Sequence, residues 1–242
     1  MQLAVIGHLS LDVIAGGAPR IGGGPWHAGR ALAALGADAR IVAKCGEPEA
    51  TAFARNLETL GLPFDLVVGA TTTAFSFSYD ESGVRTMNVD AIGEPWKEEE
   101  LRLDGVAWLQ AVPLLRGQLD LELVDAPHVL LDAQGLVRVP SVGPLRLDDG
   151  FDRAQLRRVS MLKLADEEAA VVGDADVPEV MVTHGVRGAT VNGTHVRADP
   201  VECDPTGAGD MFAAAYLVAR AGGAEPVAAG RRAADVVAEL LR

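Results

Sequence analysis

Cysteine is scarce in this chain. Only Cys45 and Cys203 occur among 242 residues, without C-x-x-C spacing, which leaves no disulfide framework or thiolate metal cage and points to free thiols in a reducing compartment. Basic residues are also few. The 21 Lys and Arg face 34 Asp and Glu, for a net charge of −13, and this balance argues against nucleic acid or a membrane surface as a partner. It leaves nucleotide binding open, because a helix N-terminus or a metal ion can offset phosphate charge locally. No run approaches the ~18 apolar residues of a membrane span. Met1 to Ile6 is apolar but lacks the basic segment and length of a signal peptide, so a cytoplasmic location is expected. There is no G-x-x-x-x-G-K-[ST] loop, and no G-x-G-x-x-G follows the first apolar run, which removes the P-loop route and weakens a dinucleotide-binding reading. The five histidines, His8, His27, His128, His184 and His195, show no metal-ligand spacing. Repeats, low-complexity tracts and linkers are absent too, and 49% apolar residues in a chain of this length suit one sizeable core.

What is present alternates strand with helix. Leu3 to Gly7 is a short apolar run of the kind buried on both faces of a parallel sheet, and a loop is expected after it. Gly22 to Gly24 make a turn, Pro25 suits a first helical position, and Ala28 to Leu35 favour helix until Gly36. Arg40 to Gly46 reads as strand and Glu49 to Leu60 as helix, closed by Gly61. Such alternation implies parallel strands with crossover helices. Residues 71–90 break the rhythm, with Thr73, Phe75, Phe77 and Tyr79 alternating against small polar residues and Glu81-Ser82-Gly83 turning the chain. This is a hairpin with one wet face, either a lid or a plain edge ribbon. Lys97 to Glu100 reads as a solvated first helical turn. Strands are expected at Val106–Gln110, Val129–Asp132, Val159–Leu164 and Val180–Thr183, with helices at Leu119–Val124 and Asp166–Val172. Asn192-Gly193 between Ala189–Val191 and Thr194–Val196 signals a tight hairpin. That turn also explains the glycosylation-like triplet Asn192-Gly193-Thr194. Met211–Arg220 and Pro226–Leu241 read as the last helices.

The chemistry is expected at Asp204-Pro205-Thr206-Gly207-Ala208-Gly209-Asp210, which runs straight into the helix from Met211. A small-residue turn opening a helix leaves backbone amides unpaired at the positive end of the helix dipole, which favours a phosphate. Gly207 and Gly209 let backbone approach a ligand closely. Asp210 puts a carboxylate beside that anion site, which makes sense for a base taking the proton of a hydroxyl that attacks a bound phosphate. Taken alone, Gly-Ala-Gly-Asp is equally a glycine-rich turn with a dipole-friendly acid.

The whole stretch from Asp204 to Leu217 resembles the second signature of the PfkB, or ribokinase-like, family of carbohydrate and nucleoside kinases. Gly22 to Gly36 resembles the first, a double glycine leading into an Ala-rich helix that ends in Leu-Gly. Asp12, Leu162-Lys163 with Glu168, and Thr183-His184-Gly185 follow the family's order, so the resemblance covers nearly the full length. It implies an α/β fold, the ribokinase-like three-layer α/β/α arrangement with a mainly parallel central sheet and a small β lid. Residues 1–242 are then a single kinase domain, the lid being built mainly from about 71–90. The resemblance further implies ATP and Mg2+, with Asp210 as general base and Gly207, Ala208 and Gly209 as anion hole. Asp12, Gly22, Gly23, Gly24 and His27 would meet the acceptor, Thr183, Gly185 and Thr206 the nucleotide, and Glu168 would organise the metal indirectly.

Three departures stand against the family pattern. His27, preceded by Trp26, replaces a usual asparagine of the first signature, Ala165 replaces the asparagine of Asn-x-x-Glu, and only 32 residues follow Asp210. With Asp132-Ala133-Gln134-Gly135-Leu136-Val137-Arg138, these features are similar to the branch of myo-inositol kinases. The expected activity is ATP-dependent phosphorylation of a hydroxyl on a small sugar or cyclic polyol. A nucleoside kinase of the same superfamily and a non-catalytic ligand-binding relic remain as alternatives, with an NAD-dependent oxidoreductase more distant. Expected partners are a small-molecule acceptor and a second copy of the chain, paired as a homodimer through the unpaired lid edges.

Overall fold

The computed structural model describes residues 2–79, 85–199, 201 and 205–242. The turn expected at Glu81-Ser82-Gly83 and the residues Cys203 and Asp204 lie outside the described residues. In chain order the elements are β1 (Gln2–His8), β2 (Ser10–Ile14), β3 (Arg20–Gly22), α1 (Gly24–Ala34), β4 (Ala39–Gly46), α2 (Glu47–Glu58), β5 (Phe64–Gly69), β6 (Thr73–Tyr79) and β7 (Arg85–Ala91). There follow β8 (Val106–Val112), β9 (His128–Asp132), α3 (Gln134–Val137), β10 (Gly143–Pro144), β11 (Met161–Ala165), α4 (Asp166–Val172) and β12 (Glu179–Thr183). The chain closes with β13 (Ala189–Val191), β14 (Thr194–Val196), α5 (Ala208–Ala221) and α6 (Pro226–Leu240).

Nine strands form the main sheet, in the order β14-β13-β12-β11-β9-β8-β1-β4-β5. Every pairing from β12 to β5 is parallel, and only β13 and β14 run antiparallel at one edge. Side chains alternate across a strand, and here both faces are apolar. Leu3, Val5, Ile41 and Leu130 pack with α1, α2, α5 and α6, whereas Ala4, Ile6, Leu109 and Leu131 pack with Leu121, Leu136, Leu156 and Val172 on the opposite side. The result is a three-layer α/β/α arrangement whose second helical layer is thin, made of α3, α4 and short 3-10 turns. One of those turns corrects an expectation. Leu119 to Val124 forms a 3-10 turn at Leu121–Leu123, because the Asp120 carboxylate accepts the Glu122 amide at 3.0 Å and ends the segment as a capped turn.

The hairpin of β6 and β7 belongs to a second sheet of five strands, ordered β10-β7-β6-β2-β3. The loop expected after β1 is in fact β2 and β3. Leu9 alone separates β1 from β2, so a continuous apolar stretch is shared between two sheets, a change of partner that periodicity does not record. Phe75, Phe77 and Val89 on the inner face of this small sheet pack on Leu114 and Leu115. Its wet face pairs Ser76 with Asp90 at 3.0 Å and Ser78 with Thr86 at 2.6 Å. Lys97 to Glu100 makes a single 3-10 turn, but Glu100 is not merely solvated. It accepts from the buried Lys44 ammonium at 2.6 Å and so ties that loop to the main sheet.

Candidate active site

The site lies where the main sheet changes direction. From β1 the chain moves outward through β4 and β5, then returns to the other flank of β1 as β8 and continues to β9, β11 and β12. Open α/β sheets bind ligands beyond the carboxyl ends of the strands at such a point. The Gln110 side chain near the end of β8 donates from Nε2 to the Asp210 carbonyl at 3.1 Å, which fixes the first turn of α5 over this crevice. Below it, Tyr216 donates to Glu179 at 2.6 Å and Arg220 grips the same carboxylate through Nε and Nη2, so α5 is anchored to β12 as well.

The turn itself is shaped by two glycines. Gly207 takes φ 81 as the helix N-cap, and a Cβ there would stand 2.1 Å from the His27 ring. Gly209 is helical, and its missing Cβ leaves room for the Lys163 ammonium, which a methyl would meet at 2.9 Å. The Ala208 amide is committed to the Pro205 carbonyl at 3.0 Å. The amides of Gly209 and Asp210 have no hydrogen-bond partner among the described residues and supply the free donors of the helix N-terminus.

This turn opens into a cavity of about 660 Å3, a size suited to small-molecule ligands. On one side the cavity is walled by Ser10, Asp12, Gly23 and His27 with Phe75, Phe77 and Met87 of the small sheet. Asp12 is buried and accepts from the Ser10 hydroxyl at 2.7 Å. Of the glycines expected at the acceptor, only Gly23 lines the cavity. Gly22 makes space for the Asp12 carboxylate, which a Cβ would meet at 2.0 Å, and Gly24 is pressed on Val112. On the far side Thr183, Gly185 and Thr206 line the cavity with Val186 and, from the C-terminal helix and the residue after it, Val237 and Leu241.

Between the two ends sits a cluster of charge. Lys163 contacts Asp132 at 2.9 Å, both being buried. Burial opposes the lysine charge, but Asp132, Glu168 and Asp210 outweigh it and push its pKa up, so the ammonium stays charged. Glu168 is buried, accepts the Ala165 amide at 2.7 Å and lies 3.8 Å from Arg138. Burial lifts its pKa in spite of Lys163, and Asp132 adds to the rise. Asp210 keeps some exposure to the cavity, yet loss of water around it and then the Asp132 charge raise its pKa from 3.8 to about 7, against Lys163 and Arg138. A carboxylate so tuned can take up a proton near neutral pH.

Gln110, Asp132, Arg138 and Lys163 were not assigned roles from sequence. Only the fold brings Lys163, Gln134 and Arg138 to one cavity, with Asp132 buried beside Lys163. The magnesium expectation meets a limit here. Among the described residues no three His, Cys, Asp or Glu side chains could hold a metal ion, and Glu168 of the cavity wall and Asp132 buried behind it are already engaged by the Ala165 amide, Arg138 and Lys163.

Comparison with known proteins agrees with this architecture. Residues 156–240 match the pfkB family carbohydrate kinase family. An inositol 3-kinase of Zea mays is 38% identical over 100 residues, which cover 36% of this chain and 26% of that protein, so the match spans about a quarter of the curated relative. A pyrophosphate-dependent kinase in the ribokinase family, solved with a pyrophosphate analog and myo-inositol, superposes with a TM-score of 0.86 at 22% identity, over 99% of this chain and 95% of that one. The Burkholderia thailandensis nucleoside kinase in complex with inosine gives 0.75 at 20% identity, over 99% and 90%. The likeness to these structures over 99% of the chain shows a ribokinase-like fold, and within it residues 156–240 match the model of the pfkB carbohydrate kinases.

Proposed function

We propose that this protein transfers a phosphoryl group to a hydroxyl of a small sugar or cyclic polyol, with an inositol as the first acceptor to test. The observation that carries this is the placement of Asp210, with a pKa of about 7, in the same helix turn as the free Gly209 and Asp210 amides, facing one cavity with Asp12. In the transfer the acceptor oxygen bonds to the terminal phosphorus as the bridging P–O bond breaks. The leaving phosphate takes that bond's electron pair, and the hydroxyl proton passes to an Asp210 carboxylate oxygen. The amides of the turn and the Lys163 ammonium offset the charge on the moving phosphoryl. Asp12 accepts hydrogen bonds from acceptor hydroxyls, and His27 supports the turn from beneath Gly207.

ATP is the proposed donor, because the far wall of Val186, Val237 and Leu241 offers apolar surface for a purine. Magnesium would arrive on the donor's phosphates with its own waters, as that ion commonly does at phosphoryl-transfer sites. The apolar wall of Phe75, Phe77 and Met87 favours a second reading, in which the acceptor is a nucleoside whose base lies on the small sheet. Two copies would pair along an open edge of that sheet, at β3 or β10. No helix among the described residues is long and apolar enough to cross a membrane, which fits a protein acting on soluble metabolites. Purified protein should be assayed with ATP or pyrophosphate against myo-inositol, pentoses, adenosine and cytidine. Product with a polyol or pentose supports the leading reading and product with a nucleoside the second. Calorimetric binding with no transfer would mark a ligand-binding relic.

A further inference from the structure

Arg138 is an arginine with too little to do. It follows α3, a four-residue helix that Gly135 lets pack on Pro113, where a Cβ would come within 2.1 Å. The Asp132 carboxylate opens this segment by accepting the Gln134 amide at 3.2 Å, and Arg116 clamps its end by donating to the Leu136 carbonyl at 2.6 Å and the Val137 carbonyl at 3.2 Å. The backbone that carries Arg138 is thus fixed from both sides. Its guanidinium lines the cavity, with a side-chain exposure of only 15%. Its one ion-pair contact is Glu168 at 3.8 Å, beyond hydrogen-bond reach, and its guanidinium donors form no hydrogen bond among the described residues. A guanidinium presents five donors in a fixed fork that matches phosphate oxygens. Sheltering such a group with those donors unused is costly unless a guest completes them.

The same cavity is lined by Gly209 and Asp210, whose amides have no partner among the described residues, and by Lys163, whose ammonium pairs with Asp132. We infer that Arg138 is a catalytic residue that forks onto the donor's phosphoryl oxygens opposite those amides, bringing a second fixed cation to the group being transferred. This rests on the phosphoryl-transfer reading but is tested apart from it. The alternative is a structural role, in which Arg138 only offsets Glu168.

The test compares wild type with Arg138→Met and Arg138→Lys, using inorganic pyrophosphate as the binding probe in calorimetry and turnover of the best acceptor as the kinetic readout. The inference predicts at least tenfold weaker pyrophosphate binding and roughly a hundredfold lower kcat in R138M. Acceptor KM should stay within about threefold, and R138K should recover little because an ammonium cannot fork. Added guanidinium ion should restore part of the turnover of Arg138→Ala. Pyrophosphate affinity in R138M within twofold of wild type, with or without a lowered Tm, overturns the inference, as does a wild type that binds no pyrophosphate. A wild type that binds pyrophosphate through Arg138 yet phosphorylates no acceptor would instead refute the transfer reading and leave the anion contact standing.

Discussion

Asp210→Asn should make the protein more stable at neutral and alkaline pH while removing most of its activity. The folded protein holds the Asp210 carboxyl at a pKa of about 7, against 3.8 for an ordinary aspartate. At 1.36 kcal/mol per pH unit, ionising it inside the fold costs about 4 kcal/mol once both states are fully deprotonated. The sign follows from proton uptake. Between about pH 4 and 7 the folded form binds a proton that the unfolded form has released, so wild-type stability falls as pH rises through this window and levels off above it. Asparagine keeps the shape and has no charge to desolvate. Chemical denaturation at a series of pH values should therefore show the two proteins alike near pH 4, with Asp210→Asn ahead by a few kcal/mol at pH 8. Turnover should drop by about 10²- to 10⁴-fold, the usual contribution of a positioned base. Wild-type kcat/KM should rise with pH through about 7 as the base deprotonates. Equal stability of the two proteins at pH 8, with turnover preserved, would refute both the burial argument and the base.

Three further outcomes follow from the same geometry. Gly207→Ala puts an L-residue at φ 81 and a methyl 2.1 Å from the His27 ring, so stability should fall by about 2 kcal/mol or more and turnover should collapse, read by denaturation and a coupled assay. Lys163→Met leaves buried Asp132 without its partner at 2.9 Å and should cost roughly 3–5 kcal/mol, much of it recovered in the double variant with Asp132→Asn. His8 is buried with a pKa lowered to about 4 by desolvation, so it stays neutral in the fold while the unfolded chain protonates near 6.5. Its contribution is complete above pH 6.5 and is lost by about 3 kcal/mol as pH falls to 4, a slope that His8→Gln should remove from a pH series of unfolding curves.

The main sheet was legible because its strands are short, apolar and punctuated. Asp166–Val172, Ala189–Val191 and Thr194–Val196 appear with the bounds read from sequence. Asn192 and Gly193 take the positive φ values, 45 and 77, that their hairpin turn demands. The segments that escaped are those decided by tertiary partners. β2 pairs with β6 from far along the chain and carries β3 on its other side, and β5 pairs with β4 across the intervening helix. At the site, the turn of Gly207 to Asp210 announced itself through its small residues. Lys163 and Arg138 did not, because a cation buried beside carboxylates and one on a solvated face look alike in sequence. The three glycines at Gly22 to Gly24 show the same limit, since the pattern marks the turn but not that two of them serve Asp12 and Val112 rather than the cavity wall.

The central claim is that the opening turn of α5 holds a donor phosphate and that its aspartate activates an alcohol. The most direct measurement is phosphorus NMR of ATP incubated with the purified protein and myo-inositol, then with the other acceptors, run in parallel with Asp210→Asn. The account predicts a new phosphomonoester signal that grows with ADP in equal amount for wild type and at least a hundredfold more slowly for the variant. A phosphomonoester formed at the same rate by both proteins, or ADP released with inorganic phosphate and no ester from any acceptor, would contradict it.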